Sequence, residues 1–138
     1  MSAENKALIR RWFEEIWNKG RDAAVDELLH ARATVHGLGP DLHGPEAFKG
    51  FHRAYRNAFP DVKIQIEDIV TEGDTVATRW AGTGTHQGDD LGFPATGRQV
   101  QFRGMTFARV ENGKLVEGWN SFDQLGMLQQ LGIVNLPG

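Results

Sequence analysis

Pro60 divides this chain into two halves with different hydrophobic periods. Before it, apolar residues recur every three or four positions; after it, every second position. A period near 3.6 buries one stripe of a helix and a period of two buries one face of a strand, so helices come first and strands after. Leu8, Ile9, Trp12, Phe13, Ile16 and Trp17 form the first helical stripe, with Ser2 as N-cap and Gly20 as terminator. A second short helix is expected from about Asp22 to Leu29, and a brief strand at 33–37. A third helix opens at Pro45 and runs to about Ala58, with Phe48, Phe51, His52 and Tyr55 along one side. Pro60 blocks its continuation.

Beyond it, Ile64, Ile66, Asp68 and Val70 alternate with Lys63, Gln65, Glu67 and Ile69 up to a turn at Glu72-Gly73-Asp74. Val76, Thr78, Trp80 and His86 share one face of the next strand. After an irregular loop from Gly88 to Gly97, a strand runs from Gln99 to Val110, turns at Glu111-Asn112-Gly113 and returns to about Phe122. A last helix is expected from Asp123 to Leu131. The order α-α-β-α-β-β-β-β-α argues for an α+β fold, one domain over residues 1–138, in which helices cover one face of a curved antiparallel sheet. Phe102 and Phe122 fall on one strand parity and Met105, Phe107 and Trp119 on the other. A sheet with one wet face would not be apolar on both sides, so the second face is expected to meet another subunit, most economically as a homodimer.

Composition removes several function classes. The net charge of −3 leaves no basic stripe to neutralise phosphates, so nucleic acid is not an expected partner. The absence of cysteine excludes disulfides, thiol catalysis and Cys-ligated metals. Met-Ser-Ala-Glu-Asn-Lys carries no apolar leader, and no run reaches membrane-spanning length, which points to a cytoplasmic protein with no membrane partner. His30, His36, His43, His52 and His86 show no metal-ligand spacing, so no metal is expected. Ser2 and Ser121 lie in no nucleophile elbow. The glycine-rich stretch 82–88 continues a strand and opens no helix, which fails the requirement for dinucleotide binding.

Polar candidates then cluster at the strand ends. His36 closes the brief strand at the expected pocket mouth, either as a structural group or as an acid/base. Asp123 is read first as the N-cap of the last helix, since it precedes an apolar-periodic segment, and alternatively as a pocket acid/base. Asp68 should pair with Arg79 across a hairpin. A three-residue loop at Glu111-Asn112-Gly113 would set Gly104 opposite Asn120 and Thr106 opposite Gly118; a two-residue loop would set Thr106 opposite Trp119. The three-residue form is expected. It groups Phe102, Gly104, Thr106 and Asn120 into a cavity lining and leaves Arg103, Arg109 and Glu117 on the other face.

His36 before a Gly-Pro loop, Gly44-Pro45-Glu46-Ala47-Phe48, Phe59-Pro60-Asp61, Gly84-Thr85-His86-Gln87-Gly88, Pro94-Ala95-Thr96-Gly97-Arg98, Asn112-Gly113-Lys114 and the Gln129 to Gly132 region follow one another along nearly the whole chain. In that order and spacing the chain resembles the SnoaL-like polyketide cyclases of the nuclear-transport-factor-2-like superfamily. The resemblance implies a cone-shaped α+β fold with three to four helices, a hydrophobic pocket, no cofactor and a dimer. It also implies an aldol cyclisation run by an Asp as general acid/base. Aligned without gaps, that Asp falls on Asn120, and the assisting Gln and His fall on Gly104 and Thr106. A carboxamide accepts no proton at neutral pH, so Asn120 cannot be the aldol base, but it can donate a hydrogen bond to a carbonyl or enolate oxygen.

The expected activity is therefore cofactor-independent acid/base chemistry on an apolar or aromatic carbonyl compound, of cyclase, isomerase or hydrolase type. His36 or Asp123 would transfer the proton, Asn120 would polarise oxygen, and Trp17, Phe51, Trp80 and Phe102 would form the wall. His86, Gly104, Thr106 and Trp119 complete the expected substrate-binding set. The alternative is a ligand-binding or assembly module that kept the pocket and lost the acid. Epoxide hydrolysis ranks lower, because Arg79-Trp80-Ala81 and Arg103-Gly104-Met105 both lack an Arg-x-Asp strand motif.

Overall fold

The change of period at Pro60 separates a mainly helical first part, which also holds two short strands, from a four-strand meander. The structure, a computed structural model, describes residues 2–135. Helix α1 spans Ser2–Arg11, and the chain continues over Trp12–Asn18 as a π-helical turn, with Lys19 N–H reaching Glu14 O at 3.0 Å. Ser2 lies inside α1 rather than capping it, and its hydroxyl meets that of Thr71 at 2.5 Å. Gly20, at φ +68°, ends this arm as expected. Then follow α2 (Ala23–Leu28), β1 (Leu29–His36), the short β2 (Leu42–His43) and α3 (Gly44–Ala58). The strands β3 (Lys63–Glu72), β4 (Thr75–Thr85), β5 (Gln99–Glu111) and β6 (Lys114–Phe122) make the meander, and α4 (Gln124–Gln130) closes it. No helix of the described residues is long and apolar enough to cross a membrane.

The sheet order is β2-β1-β6-β5-β4-β3. It is antiparallel except where β1 runs parallel to β6, a pairing that the alternating pattern of either strand cannot reveal. α1, its π-helical extension and α3 lie against the inner face. Ile9, Phe13, Ile16, Val25, Leu29, Phe48 and Val76 are buried there, while Phe59, Val100, Phe102, Met127 and Leu131 form a second cluster under α4. Asn18 ties the π-helical turn to the edge strand. Its amide donates to Ile64 O at 2.8 Å and accepts from Ile64 N–H at 2.6 Å, replacing the strand neighbour that β3 lacks.

Two bulges change what the alternation suggested. In β3, Ile66 pairs with Trp80 and Asp68 with Arg79, so Glu67 is an extra residue. Its insertion flips the parity. Ile64 and Ile66 face inward, then Ile69, while Val70 turns out at 61% exposure instead of sharing their face. In β6, the Asn112-Gly113 turn has two residues, both at positive φ, with Glu111 opposite Lys114. Val116 is then extra, because Val110 pairs with Leu115 and Arg109 with Glu117. The result is a register that neither loop length gave: Thr106 lies opposite Asn120 and Gly104 opposite Phe122. The grouping of Phe102, Thr106 and Asn120 on one face survives, since the expected and observed pairings differ by two residues.

Candidate functional site

Between the helices and the inner face of the sheet lies a cavity of about 80 Å³, on the scale where one buried water takes roughly 10–15 Å³. Trp12, Phe13 and Trp17 come to it from the first helical arm, and Phe48, Phe51 and Tyr55 from α3. Trp80, Phe102, Thr106, Asn120 and Phe122 rise from β4, β5 and β6, and Leu38 stands in the loop after β1. The rings interlock: Trp17 meets Phe48 and Phe51 edge-on at centroid distances of 6.3 Å each, and Phe13 approaches Trp80 at 6.1 Å. Such a wall favours a flat, largely apolar guest.

One polar chain crosses this wall. Trp80 Nε1–H donates to Thr106 Oγ1 at 3.0 Å, and the Thr106 hydroxyl donates to Asn120 Oδ1 at 2.8 Å. Asn120 Nδ2 donates to the backbone O of His36 at 3.1 Å. A carbonyl oxygen can only accept, which forces the amide orientation: NH₂ toward His36, oxygen toward Thr106. The second N–H of Asn120 is left for a guest. Two glycines make the arrangement possible. A Cβ on Gly104 would come within 2.3 Å of Trp80 Cζ2, so the bare residue opposite Trp80 lets the indole lie along β5. A Cβ on Gly37 would come within 1.8 Å of Asn120 O, so only glycine lets the end of β1 close on β6.

The site residues expected from sequence fall into four places. Trp17, Phe51, Trp80, Phe102, Thr106 and Asn120 line the cavity, and Gly104 shelves Trp80 beside it. His86 is buried behind the wall between Phe59 and Phe93, at centroid distances of 5.4 and 5.5 Å. Its Nδ1 accepts Thr96 N–H at 3.0 Å, which fixes the proton on Nε2 and anchors the 88–97 loop. Asp123 is exposed and caps α4, accepting Gly126 N–H at 2.8 Å.

His36 and Trp119 face the other way. The His36 ring stacks on Trp119 at 5.6 Å on the outer face, with Nε2 at 2.7 Å from Glu117 and Nδ1 at 3.0 Å from Asp41. Both carboxylates only accept, so both ring nitrogens carry protons. Hydrogen bonds to Glu117 first and Asp41 second push His36 above the ordinary imidazole value, and His36, aided by Arg109, holds Glu117 below the usual carboxylate range against partial burial. His36 thus holds Asn120 through its carbonyl and turns its ring to the outer surface. Among the described residues the wall holds no carboxylate, imidazole, ammonium or guanidinium group.

Tyr55 is the wall residue that pattern reading passed over. It was visible as one member of the apolar face of α3, but only the fold shows its ring against Phe122 at 6.1 Å, beside Asn120. Burial pushes its hydroxyl above the ordinary phenol value.

Comparison with known proteins agrees with this architecture. The family model for SnoaL-like polyketide cyclases matches residues 7–131. The chain belongs to that family. It is 33% identical over 130 residues to the aklanonic acid methyl ester cyclase DnrD of Streptomyces peucetius, covering 91% of this chain and 88% of that one. The aklanonic acid methyl ester cyclase DauD of Streptomyces sp. strain C5 is also 33% identical, with 91% and 80% covered. Among solved structures, IdmH of Streptomyces antibioticus superposes with a TM-score of 0.81 at 32% identity, over 93% of this chain and 98% of its own. Membership fixes a cyclase-type, small-molecule-binding fold and leaves the chemistry to the residues in the wall.

Proposed function

We propose that this SnoaL-like protein takes an aromatic or apolar carbonyl compound into the cavity and promotes a cofactor-free, cyclase-type rearrangement of it by hydrogen-bonding its oxygen through Asn120. The observation that carries this reading is the single oriented amide in a wall made mostly of rings and aliphatic groups. An amide locked by Thr106 and the His36 carbonyl needs no reorganisation when negative charge develops on a guest oxygen, and low local polarity strengthens its effect. The wall supplies no side-chain base. His36 and Asp123, candidates for the proton from sequence, act in this reading as positioning groups: the first through its carbonyl, the second through the α4 cap. We infer also that the protein works as a homodimer joined through the outer face of its sheet.

The relatives at 33% identity make aklanonic acid methyl ester the first substrate to try. Conversion followed by chromatography should show a cyclised product, and Asn120→Leu should slow its formation by about 10²–10³, the usual cost of one oriented oxyanion donor. Equal rates for the two proteins would remove Asn120 from the chemistry. The lack of a base in the wall also favours a second reading, a binding module. Tight binding of the ester with no conversion by the unmodified protein would select it.

A further inference from the structure

Tyr55 is the only tyrosine of the chain and the only ionisable side chain among the described residues that line the cavity. Phe51, Phe59 and Phe122 hold its ring at centroid distances of 4.7, 6.4 and 6.1 Å. The indole of Trp80, the hydroxyl of Thr106 and the amide of Asn120 all bond to protein groups, whereas the Tyr55 hydroxyl bonds to none of the described residues. Its oxygen is not among the buried side-chain atoms that lack a partner, so it stays reachable and open to a bond with a guest. Burial keeps the phenol protonated well past neutrality, so what it offers is a donor. Phe122, against which Tyr55 stands edge-on, follows Asn120 by two residues on the same face of β6, about 7 Å along the strand. Two donors therefore stand at neighbouring stations of one wall.

We propose that Tyr55 is the second hydrogen-bond donor of the site, and that the ligand is an aromatic compound carrying two acceptor oxygens, one for Asn120 and one for Tyr55. The inference rests on the role given to Asn120 above, and the two can fail separately. Naphthalene, 1-tetralone and 1,4-naphthoquinone share a two-ring frame and carry no, one and two oxygens. Calorimetric titration of the whole protein should find tetralone tighter than naphthalene, and the quinone tighter than tetralone by roughly 3- to 10-fold, the usual range for one neutral hydrogen bond.

Tyr55→Phe keeps the ring and should abolish only the quinone-over-tetralone step, while Asn120→Leu should abolish the tetralone-over-naphthalene step. Protein labelled with ¹³C at the tyrosine ζ carbon gives one signal, because there is one tyrosine, and that signal should move further with quinone than with naphthalene. A quinone preference that Tyr55→Phe leaves intact, or a ζ signal that responds equally to both compounds, overturns the Tyr55 assignment and spares that of Asn120. Failure of all three compounds to bind overturns both.

Discussion

At the scale of single residues, the structure separates side chain from backbone in a way that sequence cannot. His36 marks the pocket mouth by position, yet its carbonyl holds Asn120 while its ring serves the outer face. The ring is a double donor between Glu117 at 2.7 Å and Asp41 at 3.0 Å, a state open only to the imidazolium. Linkage fixes the sign of its pH effect. A folded pKa raised above the unfolded value contributes stability that is fully present below about 6.5 and is lost as pH rises through the folded value. Glu117 behaves inversely: its depressed pKa contributes above the usual carboxylate range and is lost on acidification. Urea denaturation from pH 5 to 9 should therefore show the unmodified protein ahead of His36→Asn at the acid end, with the gap closing toward pH 9. A gap that stays constant across the range would deny the ring its charged partners.

At the scale of elements, most of the fold was legible and the register was not. The stripes of α1 and α3, the stops at Gly20 and Pro60 and the Asp123 cap follow from local chemistry and appear where the sequence placed them, whereas the expected three-residue loop at Glu111-Asn112-Gly113 is a two-residue turn. The bulges at Glu67 and Val116 do not follow, because a bulge is decided by the partners on either side. At Val116 the irregularity touches both edges of β6: the β5 pairing shifts there, and the β1 pairing shifts between Leu29 and Thr34. β1 lies far away in sequence, so no window around Val116 contains the cause. The same closure of β1 on β6 makes Gly37 testable. At φ +89° and with a Cβ position 1.8 Å from Asn120 O, Gly37→Ala meets backbone that has no rotamer to yield. Gly73→Ala, at φ +58° with open space around it, meets only the conformational cost, about 1 kcal/mol. Chemical denaturation should find Gly37→Ala the more damaging by about 2 kcal/mol or more. Comparable losses would show that β1 can part from β6 without penalty.

At the scale of the molecule, the two faces of the sheet hold different kinds of row. Thr78, Thr106 and Asn120 lie in cross-strand register on the inner face, and Thr106 and Asn120 carry the polar path. One step along on the outer face, Val70 pairs with Ala77, Ala77 with Phe107, Phe107 with Trp119 and Trp119 with His36. This rib crosses five strands, and Val70, Phe107 and Trp119 are 61%, 54% and 41% exposed, with Met105 beside them at 58%. Ion pairs flank it on both sides: Arg79 with Glu67 and Asp68, and Arg109 with Glu111 and Glu117. An apolar rib between flanks that carry both signs of charge can meet its own copy about a two-fold axis, each acidic group finding a basic one. A glutamate at the centre of that contact would face its symmetry mate in a desolvated setting, where the cost of two like charges exceeds what a rib of this size returns. Phe107→Glu should therefore sediment as a monomer at micromolar concentrations where the unmodified protein sediments as a dimer. Because the cavity lies on the opposite side of the sheet, the variant should still bind 1-tetralone. A dimer that persists in Phe107→Glu would place the subunit contact elsewhere, and a monomeric unmodified protein would leave the rib for a different partner.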